Sequence, residues 1–204
     1  VFPIELVNLF TGWVMNLTEG PALISRFPIV TWEVHDLPRC GRWADPRVLL
    51  LATLKTPWGL LQAASTHISG TPCHSKRVAD IVREYRGPFP LLLMGDFNAD
   101  ERSSAITPLT KDEGFVDTFR AANPTKAGRT VWQWVYSPVP TALRRVDYLF
   151  LLPGTVFPGT VRSSRVILNT PRRFQGGKII WPSDHYGVLA EIEVFPPSLE
   201  GRIS

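Results

Sequence analysis

Cysteine is scarce in this sequence. Its two cysteines, Cys40 and Cys73, lie far apart in the chain and form no Cys-x-x-Cys motif. Zinc sites and disulfide-rich domains use more cysteines, at characteristic spacings. The sequence therefore supports neither a zinc site nor a disulfide framework, and we expect both residues to be ordinary thiols.

Long apolar runs and a strong charge imbalance are also missing. No uncharged apolar run reaches the length of about 18 residues that a transmembrane helix needs. The first residues contain no basic leader followed by a small-residue cleavage site. We therefore expect no membrane span and no targeting segment. The net charge of +4 favours a polyanionic partner only weakly, because many basic proteins bind no nucleic acid.

The composition is that of one globular domain rich in strands. The chain has 204 residues, of which 44% are hydrophobic and 20% charged, so a single domain over residues 1–204 can bury a large core. Its 19 prolines and 15 glycines are scattered between short apolar runs, which is typical of strands joined by turns. We predict an α+β fold in which strands outnumber helices.

The apolar pattern predicts several elements. Residues 47–55 and 59–69 flank a Thr-Pro-Trp-Gly turn and form a predicted hairpin. A helix is predicted over residues 75–85, because its apolar residues recur at the spacing of one helical face. Residues 90–94 form a predicted buried strand that ends in the polar segment Gly-Asp-Phe-Asn. Further strands are predicted at 130–136, 145–152, 160–169 and 185–195, and a short helix at 115–121.

Polar side chains suited to phosphate chemistry lie at or beside the predicted strand ends. Hydrolysis of a phosphodiester needs a cation, a group that activates or orients water, and donors to the phosphoryl oxygens. Carboxylates, an amide and imidazoles can meet these needs. The candidates are His67, Asp96, Asn98, Asp147, Asp184 and His185.

Each candidate also has a purely structural interpretation. A histidine in a strand, such as His67, can be a hydrogen-bonded core residue. The Gly-Asp-Phe-Asn segment and the Asp184-His185 pair can be turns. Asp147 is different, because it interrupts an apolar strand, where an unpaired carboxylate is costly. We therefore predict a hydrogen bond between Asp147 and His185.

The order of the motifs resembles that of the endonuclease/exonuclease/phosphatase superfamily. Thr-His precedes a helix, and Gly-Asp-Phe-Asn, Asp-Tyr-Leu-Phe and Ser-Asp-His follow in the family's order. A further fragment, EGPALISRFPIV over residues 19–30, is similar to the family's Ser-Arg stretch, so the likeness extends over residues 19–195. The resemblance implies a four-layered α/β/β/α sandwich with two central, mainly antiparallel sheets and an active site where strand ends meet.

The resemblance also implies roles for the candidate catalytic residues. Asp96 would be the base or orienter of the attacking water, and Asn98 would hold that water or the phosphate. His185 would contact the scissile phosphate, with Asp147 fixing its tautomer. His67 would be a second phosphate-facing histidine that stabilises charge or protonates the leaving oxygen.

A metal site and a phosphate-binding surface follow from the same resemblance. Asp184 would serve the metal directly or through water. Magnesium is the expected ion and manganese a possible substitute, because oxygen ligands and a phosphate substrate suit them. Arg26, Arg172 and Arg173 are the candidate phosphate contacts of the substrate.

One part of the family pattern is not seen in the sequence. Family members begin with an asparagine-bearing strand and a later Gln-Glu segment whose glutamate binds the metal. Glu5 and Glu19 lack that context, so the role is carried onto neither. We expect an N-terminally incomplete chain that is weak or inactive as it stands, with residues 1–17 packing against the missing piece.

Alternatives stay open for both the substrate and the activity. The basic stretch 162–178 together with Trp132, Trp134 and Trp181 suits a nucleic acid, although a solvated basic loop and core tryptophans give the same pattern. A phospholipid or inositol phosphate would use the same cations. We expect a monomeric phosphoesterase acting on phosphodiesters or phosphomonoesters. The alternative is a non-catalytic binding or scaffold module that has lost its metal site.

Overall fold

The computed structural model describes residues 20–40 and 46–194. The expectations for residues 1–17, for Glu5 and Glu19, and for the last residue of the strand predicted at 185–195 lie outside this part. The strands are β1 Ile29–Asp36, β2 Val48–Thr56, β3 Gly59–His67, β4 Leu91–Asp96, β5 Val116–Asp117, β6 Asp147–Leu152, β7 Thr160–Ile167, β8 Arg172–Arg173, β9 Ile179–Ile180 and β10 Gly187–Glu193. The helices are α1 Pro72–Glu84, α2 Thr107–Lys111, α3 Thr118–Ala122 and the 3-10 turn Gln175–Gly177.

The described strands form one large sheet and two small ones. The large sheet has the order β1-β2-β3-β4-β6-β5, and β7 pairs with β10 while β8 pairs with β9. All these pairings are antiparallel except that of β3 with β4. The α+β prediction is confirmed: the fold is mostly strands in sheets, with few helices. Within the described ranges, no helix is long and apolar enough to cross a membrane.

Helix α1 covers one face of the large sheet. It begins at Pro72, three residues before the predicted start, because the Thr71 hydroxyl caps it by accepting from the His74 amide. Its apolar stripe, Val78, Ile81 and Val82, is buried with alternate residues of the central strands. This packing forms the main core.

The alternation of side chains along the strands directs the candidate residues to the opposite face. Leu93, Ala64 and Tyr148 belong to the core beside α1. In a strand, neighbouring residues point to opposite faces and residues two apart share one. Asp147, next to Tyr148, therefore lies on the face away from α1, and the same parity holds for His67 and Asp96 on their strands.

Two predicted elements are wrong in part. Residues 130–136 do not form a strand, because Trp132 adopts a left-handed backbone with φ of 73°, and only Val131 makes isolated bridges, to Arg144 and His185. The helix predicted over 115–121 is instead the short strand β5 followed by α3. Asp117 ends that strand and caps the helix through its carboxylate.

The expectation of two ordinary thiols is also wrong. Cys40 and Cys73 form a disulfide across a sequence separation of 33 residues. The chain after β1 returns to the first turn of α1, which brings the two Cα atoms to 5.9 Å, within the range a disulfide spans. The spacing of the two cysteines along the sequence does not predict this contact.

Candidate active site

Three of the candidate residues form a row across neighbouring strands. His67 at the end of β3 pairs in register with Asp96 at the end of β4, and Asp96 pairs with Asp147 at the start of β6. His67 Nε2 lies 3.4 Å from a carboxylate oxygen of Asp96. The register of the sheet therefore brings an imidazole and two carboxylates together at one end of the central strands, as the motif order implied.

The turn after β4 orients Asp96 and Asn98. The backbone N–H of Asn98 donates to the Asp96 carboxylate at 2.7 Å. Gly95 is required just before this turn, because a Cβ there would lie 1.8 Å from the Thr66 carbonyl oxygen at a φ of 146°. Asn98 itself has a left-handed φ of 50°, a conformation that costs energy and is common at functional sites.

The Asn98 side-chain amide also contacts His67. Its Nδ2 group donates to the Ile68 carbonyl at 2.8 Å and lies 3.0 Å from His67 Nε2. His67 Nε2 therefore faces both the Asn98 side-chain amide and, at 3.4 Å, the Asp96 carboxylate.

Asp147 and His185 form the predicted pair. His185 Nδ1 lies 3.0 Å and 3.2 Å from the two carboxylate oxygens of Asp147. With Nδ1–H donating to the carboxylate, Nε2 is left for a substrate. The pair is positioned from behind by the buried Thr130 hydroxyl, which accepts from the backbone amides of Val146 and Asp147.

The clustered charges shift the pKa values of two groups. Burial raises the pKa of the Asp96 carboxyl, and the Asp147 carboxylate adds to this, against the Asn98 N–H and the two histidines, which lower it. The hydrogen bond to Asp147 raises the pKa of His185 more than burial lowers it. The site therefore favours a protonated His185 facing two carboxylates.

Two groups of the site, the carboxylates of Asp96 and Asp147, suit a hard divalent cation. Single ligand atoms of Asp96, Asp147 and His185 all lie within 4.8 Å of one another. Two carboxylates brought this close repel each other, and a cation between them relieves that repulsion. Asp184, the predicted metal ligand, is not part of this trio; its carboxylate accepts from the Ser183 hydroxyl at 3.1 Å, beside His185.

The three candidate arginines lie in different places. Arg26 is next to Phe27, whose ring contacts Trp58 in the β2–β3 turn. That turn is at the end of the hairpin opposite to His67, so the structure does not bring Arg26 to the cluster. Arg172 and Arg173 are exposed on the β8–β9 hairpin, which precedes Asp184 in the chain.

The tryptophans divide between core and surface. Trp181 is 2% exposed and packs on Tyr186, as a core residue does. Trp132 and Trp134 are 52% and 76% exposed. They line an open groove of about 820 Å³ that reaches Asp184. The core interpretation therefore holds for one of the three.

The buried side chains that hold the segments carrying the site residues were not predicted from the sequence. Arg145 is 5% exposed and forms ion pairs with Asp117 and Glu101 beneath the Gly-Asp-Phe-Asn turn. The Tyr148 hydroxyl donates to the Ala99 carbonyl at 2.8 Å. A charge inside the run Arg-Arg-Val-Asp-Tyr was an available signal, since buried charges need partners. A buried threonine such as Thr130 leaves no comparable signal.

Comparisons with known proteins identify a family and similar folds. A family model, described as the endonuclease/exonuclease/phosphatase family, matches residues 16–185. The fold is similar to that of Bacteroides thetaiotaomicron mannosyl-6-phosphatase, with a TM-score of 0.66 at 20% identity over 82% of this chain and 67% of that chain. The human Nocturnin catalytic domain gives a TM-score of 0.59 at 15% identity over 83% and 61%. D. rerio TDP2 with a single-strand DNA product gives 0.58 at 18% identity over 79% and 67%.

The two kinds of likeness carry different weight. The chain spans about two thirds of the length of these solved structures, and at such identities they establish the fold alone. None of the curated proteins compared with the chain matches it significantly. The family model, however, covers most of the chain and includes the row formed by His67, Asp96 and Asp147 and its partner His185. The chain therefore belongs to the endonuclease/exonuclease/phosphatase family.

Proposed function

We propose that this protein is a magnesium-dependent phosphoesterase that hydrolyses phosphodiester bonds, with phosphomonoesters as a second substrate class. The observation that carries the proposal is the convergence of His67, Asp96, Asp147 and His185 at one end of the central strands β3, β4 and β6. The similar structures include a mannosyl-6-phosphatase and a TDP2 bound to a DNA product, which is consistent with phosphate-ester chemistry.

In the proposed reaction Asp96 acts on the attacking water. Its carboxylate accepts a proton from the water, whose oxygen forms the new bond to phosphorus while the bond to the leaving oxygen breaks. The Asn98 N–H holds one oxygen of Asp96 at 2.7 Å, which leaves the other oxygen for the water. The Asn98 amide orients His67 on the same side.

The two histidines act on the phosphate and the leaving group. His185, protonated and held by Asp147 at Nδ1, donates from Nε2 to a phosphoryl oxygen and stabilises the charge that develops there. His67 stabilises the phosphate or gives a proton to the leaving oxygen. Asp147 orients the imidazolium through its hydrogen bond to Nδ1 and takes no part in the proton transfers to or from the substrate.

A divalent cation would be held by acidic side chains of the site. Asp184 is the predicted ligand, and Asp96 and Asp147 offer further carboxylate oxygens, which suit magnesium or manganese. When bound, the ion would neutralise charge on the phosphate and polarise it toward attack. The protein groups named above still position the water, the phosphate and the leaving oxygen.

The surface beside Asp184 favours a nucleic acid among the candidate substrates. Trp132 and Trp134 are exposed in the groove, and Arg144 lies 5.2 Å above the Trp132 ring. Exposed aromatic rings stack on unpaired bases, and neighbouring cations bind the phosphates between them. Arg172 and Arg173 are further exposed cations, on the β8–β9 hairpin. A lipid or an inositol phosphate is the alternative substrate, and the assay must distinguish it from a nucleic acid.

The test is metal-dependent hydrolysis by the wild type and two matched variants. Substrates are bis(p-nitrophenyl) phosphate, plasmid DNA, abasic duplex, RNA, sphingomyelin and inositol phosphates, each with magnesium, manganese or a chelator. Asp96→Asn removes the base and should lower turnover about 100-fold or more. Asp112→Asn changes an exposed carboxylate at the end of α2 and should have no effect.

The assays should include magnesium concentrations well above those normally used for such enzymes. A site with few carboxylate ligands binds magnesium weakly, so slow turnover is expected even if the assignment is right. Equal rates for the wild type and Asp96→Asn would contradict it. A folded protein that binds phosphate esters but hydrolyses none of the panel would instead support the non-catalytic alternative.

A further inference from the structure

We propose that His74 is a positioning residue that holds the His67 and Asn98 side of the site in place through the loop at residues 68–70. Its kinetic consequence rests on the proposed phosphoesterase function, whereas the geometric consequence can be tested without it. His74 lies in the first turn of α1 and is fully buried, with 0% exposure. It does not touch the site directly, so it is not a catalytic residue.

Both ring nitrogens of His74 have partners, and together these define its tautomer. Nε2 lies 2.8 Å from the carbonyl oxygen of Pro38, which can only accept, so Nε2 carries the proton. Nδ1 is then an acceptor, and it receives the Ser69 hydroxyl at 2.7 Å and the Ser69 backbone N–H at 3.3 Å. Burial lowers the pKa of His74, which favours this neutral form.

The loop that His74 holds packs directly against Asn98. The carbonyl of Ile68 accepts from the Asn98 side-chain amide at 2.8 Å. Gly70, at a φ of 72°, comes so close that a Cβ on it would lie 2.5 Å from the Asn98 carbonyl oxygen. Asn98 has a left-handed backbone, and these two contacts help to hold it in place. A shift of Ser69 therefore moves the groups that orient Asn98 and, through it, His67.

The other contact of His74 is secured by the disulfide. Cys73 precedes His74 in α1, and it is joined to Cys40, two residues after Pro38. The cross-link keeps the Pro38 carbonyl beside Nε2. His74 therefore connects a covalently anchored segment on one side with the site loop on the other. The disulfide thus holds the Pro38 side of His74 in place, and His74 positions the loop at residues 68–70.

The two contacts of His74 can be removed one at a time. An asparagine amide reaches about as far as Nδ1 of histidine, and a glutamine amide about as far as Nε2. His74→Asn can therefore retain the acceptor for Ser69 and lose the donor to Pro38, whereas His74→Gln does the reverse. A histidine that merely fills the core would make the two variants equivalent. A positioning role requires them to differ in the site.

The experiment compares kinetics, stability and the NMR signal of the Asn98 side-chain amide, assigned by its loss in Asn98→Asp. His74→Gln should lower kcat about tenfold with KM within about twofold, since a small misplacement of reacting groups acts on turnover. It should also shift the Asn98 amide signal. His74→Asn should keep kcat and this signal near the wild type, even if its melting temperature falls equally.

Two outcomes would overturn the proposal. One is equal loss of kcat per folded molecule in both variants. The other is an unmoved Asn98 signal in folded His74→Gln. If His74→Gln fails to fold, Ser69→Ala removes the 2.7 Å hydroxyl contact alone and must shift the same signal. If the wild type shows no turnover, the proposed function fails and the Asn98 signal alone decides the positioning role.

Discussion

His185 Nδ1 lies 3.0 Å from a carboxylate oxygen of Asp147, although 38 residues separate the two in the chain. The pairing was predicted because a carboxylate inside an apolar strand needs a partner, and the structure confirms it. The isolated bridge between Val131 and His185 helps to bring His185 to Asp147 at the start of β6. The pair links the large sheet to the segment that carries Asp184.

Removing the charge of Asp147 should lower the pKa of His185. The hydrogen bond to Asp147 is the main reason that this pKa is raised, and Asp147→Asn replaces a carboxylate with a neutral amide. We expect the titration midpoint of the His185 ring to move to lower pH in metal-free protein. An NMR titration of the imidazole proton measures it, with His35 as an internal control. An unchanged midpoint would contradict the proposed pairing in solution.

The same pair should make stability depend on pH in a defined direction. A histidine whose folded pKa is raised binds its proton more tightly in the folded state. Its contribution is present below the unfolded value of 6.5 and is lost as the pH rises through the folded value. The free energy of unfolding of the wild type minus that of Asp147→Asn should therefore fall over this interval. A difference that grew with pH would have the wrong sign.

Local chemistry explains which parts of the fold could be predicted. The β2–β3 hairpin, α1 and β4 follow from periodicity and turn residues, which act over a few positions. The row of His67, Asp96 and Asp147 depends on sheet register, which no single segment encodes. It was expected only because the order of motifs resembles a family. The left-handed Trp132 and the support from Thr130 depend on distant contacts, and neither was predicted.

Cleavage of the disulfide should destabilise the protein without changing its sequence. Closing a loop of this length removes conformational entropy from the unfolded chain, which contributes roughly 2 to 4 kcal/mol. Cys40 and Cys73 are the only cysteines, so a mild reductant acts on this bond alone. Urea unfolding with and without reductant measures the change. The Cys40→Ser/Cys73→Ser variant is the control, and it should not respond to reductant.

Neutralising the β8–β9 hairpin should weaken binding of nucleic acid at low salt. Arg172 and Arg173 are both exposed there, and each phosphate contact releases about one counterion. Arg172→Gln/Arg173→Gln should flatten the dependence of binding on salt by about two ions. Arg26→Gln is a suitable control, because Arg26 lies at the far end of the β2–β3 hairpin. An unchanged slope in the double variant would exclude this hairpin from the binding surface.

Truncating Trp134 should slow the hydrolysis of substrates that carry an aromatic ring on the phosphate more than that of substrates without one. Trp134 is 76% exposed and shares the groove beside Asp184 with Trp132. Stacking of a base on an aromatic side chain contributes about 1 to 3 kcal/mol, so Trp134→Ala should lower kcat/KM for a dinucleotide or a p-nitrophenyl nucleotide ester by about tenfold or more. A methyl phosphate ester offers no ring to stack, so its hydrolysis should change little. Trp58→Ala is the matched control, because Trp58 is 52% exposed at the end of the hairpin away from His67. Equal losses for ring-bearing and methyl esters would mean that Trp134 supports the site structurally and does not bind the substrate.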